Sequence, residues 1–134
     1  MKIGILCYPT FGGSGVVATE LGKSLSEKGN IVHFISYAQP ARLNLISDNL
    51  FYHEVSVKNY PLFDFPPYET SLTSKLVEIV KFEKLDLIHV HYAIPHASAA
   101  ILAKEILKTM GINIPVITTP VSYTHLTLPT ISDV

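Results

Sequence analysis

Two stretches of the chain bring together residue types and spacings that could do chemistry. The first is Gly12-Gly13-Ser14-Gly15, set between the loop Tyr8-Pro9-Thr10-Phe11 and a stretch that reads as a helix. A glycine-rich turn at a helix N-terminus presents free backbone N–H groups and the positive end of the helix dipole. Glycine lacks a Cβ, so a ligand can approach the main chain closely. An anion is therefore expected at Gly12, Gly13, Ser14 and Gly15. The second stretch is His89-Val90-His91-Tyr92-Ala93-Ile94-Pro95-His96. Histidines two apart on a strand point to one face and could share an ion. Against a metal, Cys7 is the only thiol, no acidic residue lies in the cluster, and His96 sits across a proline. Hydrogen bonding at a strand exit is the better expectation. Tyr92 suits the orientation of a polar ligand, and a histidine there could also hold a carboxylate or phosphate. The competing structural role is that His89 and His91 satisfy backbone carbonyls beneath the loop. His33 and His53 fall inside strand-like runs and read as packing or surface histidines.

Gly13-Ser14-Gly15-Val16-Val17-Ala18 also matches the dinucleotide pattern G-x-G-x-x-A. Two features argue against that use. Four residues, Tyr8 to Phe11, separate the strand from the glycines, and Ile31 to Gln39 offers no acidic residue for a ribose. A nucleotide- or dinucleotide-binding oxidoreductase module is kept as one alternative. A non-catalytic ligand-binding domain is the other.

The elements that must position these groups follow from periodicity. Lys2 to Cys7 reads as a strand. A helix runs from Ser14 to about Lys28, with Val17, Leu21 and Leu25 as the expected buried stripe and Gly29-Asn30 as its stop. Ile31 to Tyr37 and Leu50 to Val57 read as strands. Tyr60 to Tyr68 is an aromatic, proline-rich loop, expected either to wall a cleft or to cover the core. Thr70 or Ser71 is expected to cap a helix to Glu83, with Leu72, Leu76, Ile79 and Val80 on one face. Leu85 to His91 is a strand, Ala97 to Met110 a helix ended by Gly111, and Pro115 to Thr119 a last strand. Helical crossovers between strands predict a doubly wound, mostly parallel α/β sheet. In such sheets ligands bind at the C-terminal ends of the strands, where both chemical stretches fall.

The 134 residues suit one domain. A 48% hydrophobic and 16% charged composition fits strands covered on both faces. A net charge of −1 without a basic stripe disfavours nucleic acid. The longest apolar runs are of strand length, so no transmembrane segment is expected. Met1-Lys2 leads into a strand without a signal-peptide pattern. A lone cysteine cannot form an internal disulfide, which points to the cytoplasm.

Ile3 to Pro9, with Gly12-Gly13-Ser14-Gly15-Val16-Val17-Ala18-Thr19-Glu20-Leu21-Gly22, resembles the start of a GT-B glycosyltransferase of the family 4 type. Pro40-Ala41-Arg42-Leu43-Asn44, Phe51-Tyr52-His53-Glu54-Val55, Phe65-Pro66-Pro67-Tyr68 and His89 to Ala97 are similar to the branch of that family serving bacillithiol biosynthesis. The resemblance covers Met1 to about Thr119. It implies a Rossmann-like N-terminal half of a GT-B enzyme that moves N-acetylglucosamine from UDP-N-acetylglucosamine to the hydroxyl of L-malate with retention. It implies no metal and no other cofactor. The N-terminal domain would hold the acceptor, and a C-terminal GT-B domain absent from this chain would hold most of the nucleotide sugar. On that reading Gly12, Gly13, Ser14 and Gly15 offer N–H groups and a hydroxyl to the malate dianion. Tyr92 orients it, Arg42 is a charge partner, and Thr118 and Thr119 line the pocket.

The resemblance breaks after Thr119. The family continues with a Leu-His-Gly-Thr-Asp-like segment carrying the reaction-centre histidine, whereas this chain continues Pro120-Val121-Ser122-Tyr123-Thr124-His125. His125 is not carried over, and no catalytic residue is assigned. Residues 1–119 are thus expected to be an incomplete acceptor-binding domain, inactive alone. Residues 120–134 are a tail outside the family pattern. Val121 to Val134 matches the translation of a transposase-end sequencing adapter and is expected to be disordered.

Overall fold

The computed structural model describes residues 1–7, 14–37, 48–55, 68–91 and 96–119. Gly12, Gly13, Arg42, Tyr92, most of the Tyr60 to Tyr68 loop and residues 120–134 lie outside the described residues.

Among the described residues, five strands and three helices follow in the order β1 (Lys2–Leu6), α1 (Ser14–Glu27), β2 (Ile31–Ser36), β3 (Leu50–Glu54), α2 (Tyr68–Glu83), β4 (Leu87–His91), α3 (Ser98–Thr109) and β5 (Val116–Thr119). The strands form one sheet in the order β3-β2-β1-β4-β5. Every pairing is parallel. The expected doubly wound α/β sheet is what forms. The described strand ends differ from expectation by one or two residues, as at β4, which starts at Leu87 rather than Leu85; β3 ends at Glu54, and the expected Ser56 and Val57 lie outside the described residues.

Successive strand residues face opposite sides of a sheet, and here each side carries its own core. On one side Ile3, Ile5, Val32 and Phe34 pack with Ala18 of α1. On the other, Leu6, Ile35, Ile88, Val90 and Val116 pack with α2 and α3. Leu72, Leu76, Ile79 and Val80 of α2 are buried there, as the helical spacing predicted.

The expected stripe on α1 is corrected at Val17, which is 54% exposed; Leu21 and Leu25 are half-buried, Leu25 packing against the core, and the buried positions are Ala18, Thr19, Gly22 and Ser26. The reason is Phe34. A Cβ built on Gly22 would overlap its ring, with Cε1 only 2.7 Å away. The helix therefore turns its small residues to the sheet and lies close to a large aromatic ring. The cap expected at Thr70 or Ser71 is also corrected, because α2 begins at Tyr68 and both residues lie inside it.

Two helices end as the glycines predicted. Gly29 (φ 95°) and Gly111 (φ 79°) adopt the left-handed conformation. After α1, Gly29 N–H donates to Ser26 and Asn30 N–H to Leu25; after α3, Gly111 N–H donates to Lys108 and Ile112 N–H to Leu107. This double bond pattern is the Schellman motif. α2 ends without a glycine, and Lys84 takes φ 54° instead.

Candidate functional site

The strand order reverses beside β1: β2 and β3 extend one way, β4 and β5 the other. Such a switch point opens a crevice outside the C-terminal ends of the two central strands, where doubly wound sheets bind ligands. Here these ends are Leu6-Cys7 and Val90-His91, with Leu6 paired to Val90. α1 follows β1, and its first turn begins at Ser14 and Gly15. No acidic side chain occupies the first turn of α1 or of α3. Neither helix therefore places a negative charge of its own first turn against the positive end of its dipole, which favours an anion there.

The residues of β4 and β5 at this edge form a connected group. His91 pairs in register with Thr119, and Val90 with Thr118. His89 Nε2 lies 2.7 Å from Thr119 Oγ1. The rings of His89 and His91 stack with centroids 4.5 Å apart. His96, just before α3, donates from Nδ1 to the His91 carbonyl at 3.0 Å. Hydrogen bonding at the strand exit is thus what forms at His89, and the competing role, in which His89 and His91 satisfy backbone carbonyls, is not. His89 bonds a threonine hydroxyl, and His96 serves the carbonyl. Among the described residues, both ring nitrogens of His91 and the Thr118 hydroxyl are buried without a hydrogen-bond partner.

Burial, with smaller contributions from the neighbouring His89 and His96, pushes His91 down to about 4. Burial also lowers His89. It lowers His96, partly offset by the bond to the His91 carbonyl. At neutral pH the cluster therefore supplies hydrogen bonds rather than positive charge. The helix termini attract an anion to this edge without help from these histidines. Cys7, buried at the end of β1, is pushed up to about 12 by desolvation, so it stays a thiol and is no nucleophile.

Of the residues expected to bind substrate, the structure brings Thr118 and Thr119 to this edge beside His89 and His91. Ser14 and Gly15 start the helix that follows β1. Gly12, Gly13, Arg42 and Tyr92 lie outside the described residues. A separate groove of about 380 Å³, lined by Lys104, Lys108, Asn113, Ile114 and Pro115, lies at the opposite end of β5.

One group of side chains was missed by reading the sequence. His33 Nδ1 lies 2.8 Å from His53 Nε2. Their strands pair so that Ile35 faces His53 and His33 faces Phe51, which makes the two histidines diagonal neighbours on one sheet face. Glu83 stands with them. Alternation within each strand was the available signal, but the strand register that joins them is tertiary.

A profile of Glycosyltransferase Family 4 matches residues 11–125. The chain is 52% identical over 119 residues to the protein named N-acetyl-alpha-D-glucosaminyl L-malate synthase of Bacillus anthracis, a match covering 89% of this chain and 30% of the relative. It thus spans under a third of that relative's length. Among solved structures, MurG of Acinetobacter baumannii shares the fold at a TM-score of 0.59 and 17% identity, covering 87% of this chain and 34% of that one. A glycosyltransferase of Rickettsia africae does so at 0.58 and 20%, covering 87% and 28%. At such identities the likeness concerns the fold alone. With the family profile spanning most of its length, the chain belongs to Glycosyltransferase Family 4.

Proposed function

We propose that this chain is the acceptor-binding, N-terminal part of a retaining GT-B glycosyltransferase. The intact enzyme moves N-acetylglucosamine from UDP-N-acetylglucosamine to the hydroxyl of L-malate, a step of bacillithiol biosynthesis in the cytoplasm. The observation that carries this reading is the 52% identity, over 89% of the chain, to a relative whose name states that product.

The switch-point geometry supports it. Malate is a dianion, and the first turn of α1 offers backbone N–H groups with no acidic side chain to compete. Gly12, Gly13, Ser14 and Gly15 hold one carboxylate on this reading. Thr118, Thr119 and Tyr92 orient the hydroxyl and the second carboxylate, and Arg42 adds charge. The neutral histidines beneath Thr119 fix that threonine rather than attract the ligand. Transfer itself needs cationic groups at the departing phosphate, and a C-terminal GT-B domain supplies them. The chain alone is therefore inactive. The dinucleotide alternative lacks support at the end of β2, where Ser36 and Tyr37 stand in place of an acid.

Titration calorimetry of the chain with L-malate, UDP-N-acetylglucosamine and NAD tests this. L-malate is expected to bind in the millimolar range, with no transfer product when both substrates are mixed. NAD binding unaffected by malate would overturn the reading, and transfer by this chain would overturn the need for a second domain. We further read residues 120–134 as adapter-derived. Sequencing the source DNA beyond the Thr119 codon from an adapter-free library is expected to continue into Leu-His-Gly-Thr-Asp. A genuine stop after Val134 would remove that reading.

A further inference from the structure

His33, His53 and Glu83 come from three elements, β2, β3 and α2, and each offers one ligand atom within 4.8 Å of the others. We propose that these three side chains form a site for one divalent transition-metal ion of the zinc, nickel and copper class. The ion clips the edge strand β3 and the last turn of α2 to β2.

The donor set selects the metal. Two imidazoles and one carboxylate suit borderline ions, whereas calcium and magnesium favour all-oxygen sites. Lys2 and Glu83 act on His33; Lys75, Glu78 and Glu83 act on His53. Two lysines and two glutamates nearly cancel, and Lys75 is drawn towards Glu78 at 3.7 Å. Coordinate bonds to the two imidazole nitrogens favour a borderline ion over a hard one.

The histidines are prepared for this. His33 is 3% exposed and packs flat against Phe51, with ring centroids 5.0 Å apart. Its ring is thus held in one orientation. A neutral imidazole offers one nitrogen lone pair to a metal ion. The His33 to His53 contact of 2.8 Å needs one hydrogen between two nitrogens. An ion seated there replaces that hydrogen, which moves to the other nitrogen of the same ring as the tautomer switches. No proton need leave the pair. With metal–nitrogen bonds of about 2.1 Å, a 2.8 Å separation gives an N–metal–N angle near 84°. That suits an octahedral or tetragonal ion as it stands. Tetrahedral zinc needs the nitrogens to part to about 3.4 Å, a shift that edge strand β3 can make. Among the described residues no ion pair or hydrogen bond engages the Glu83 carboxylate.

The site lies on the sheet face covered by α2 and α3, and Glu83 is in the last turn of α2, away from the switch-point edge. Its role is structural, and it stands or falls independently of the proposed acceptor site.

The test uses the chelator-treated 134-residue chain titrated with Zn²⁺, Ni²⁺ and Mg²⁺ by calorimetry, with thermal unfolding and ¹⁵N spectra of the histidine rings as second readouts. One equivalent of Zn²⁺ or Ni²⁺ is expected to bind. It should shift the ring nitrogens of His33 and His53 and raise Tm on the order of 8 °C at one hundred times Kd. Mg²⁺ should do neither. Glu83→Gln, a change at a partly exposed helix end, should leave the metal-free Tm within a few degrees and weaken binding at least tenfold. His53→Asn should abolish it. The assignment is overturned if no binding occurs up to about 1 mM metal. It is also overturned if binding survives Glu83→Gln unchanged, or if the shifted rings are those of His89, His91 and His96.

Discussion

His89 Nε2 and Thr119 Oγ1, 2.7 Å apart, tie the last residue of β5 to the strand beside it. The bond joins β4 to β5 at the C-terminal edge of the sheet and fixes the rotamer of a threonine proposed to meet the acceptor. Thr119→Val removes the hydroxyl at nearly constant volume and leaves His89 Nε2 unsatisfied in a half-buried position. The expected cost is about 1–3 kcal/mol of stability, measured by urea unfolding. Malate affinity should fall on the order of tenfold, and Thr119→Ser should restore most of both.

All five described histidines are lowered from the ordinary value, chiefly by burial. For His91 the folded value of about 4 lies below the unfolded 6.5. Between these the unfolded chain binds more protons, so stability rises with pH. It is full above pH 6.5 and drains as the pH falls towards 4. Thermal unfolding across this range should show Tm dropping by many degrees. His91→Phe buries a ring of similar size and forfeits no hydrogen bond among the described residues. It should flatten the profile.

Gly22 faces the Phe34 ring with no room for a methyl group. Gly22→Ala should cost about 1–3 kcal/mol through overpacking, although alanine favours helix. The paired change Gly22→Ala with Phe34→Leu should recover part of that loss. Chemical denaturation of the single and double variants measures the coupling.

Lys84 ends α2 at φ 54°, a conformation that strains a side-chain-bearing residue. Lys84→Gly should stabilise the chain by on the order of 0.5–1 kcal/mol, as Gly29 and Gly111 already do at the other two helix ends. Thermal unfolding would show the gain as a rise of a few degrees.

Much of this protein was legible in the sequence because its signals are local. Gly29 and Gly111 stop helices wherever the chain goes next, since only a left-handed residue closes the Schellman pattern. Leu72, Leu76, Ile79 and Val80 share a face by helical geometry alone. Alternating apolar runs and helices imply a parallel sheet, and such a sheet has its crevice at the strand ends. The strand order in the sequence thus places Ser14 and Thr119 at one edge.

The tertiary structure decided what depends on which element lies against which. Val17 was a reasonable buried position by hydropathy, but the Phe34 ring left space only for the small residues Ala18 and Gly22. His89 chose Thr119 rather than a carbonyl because the β4–β5 register set that hydroxyl within reach. His33 and His53, twenty residues apart, met only because β2 and β3 align Ile35 with His53. Spacing along a chain fixes which face a residue takes within its own element. Register and the volume of the facing side chain, both cooperative properties of the packed core, determine its partner.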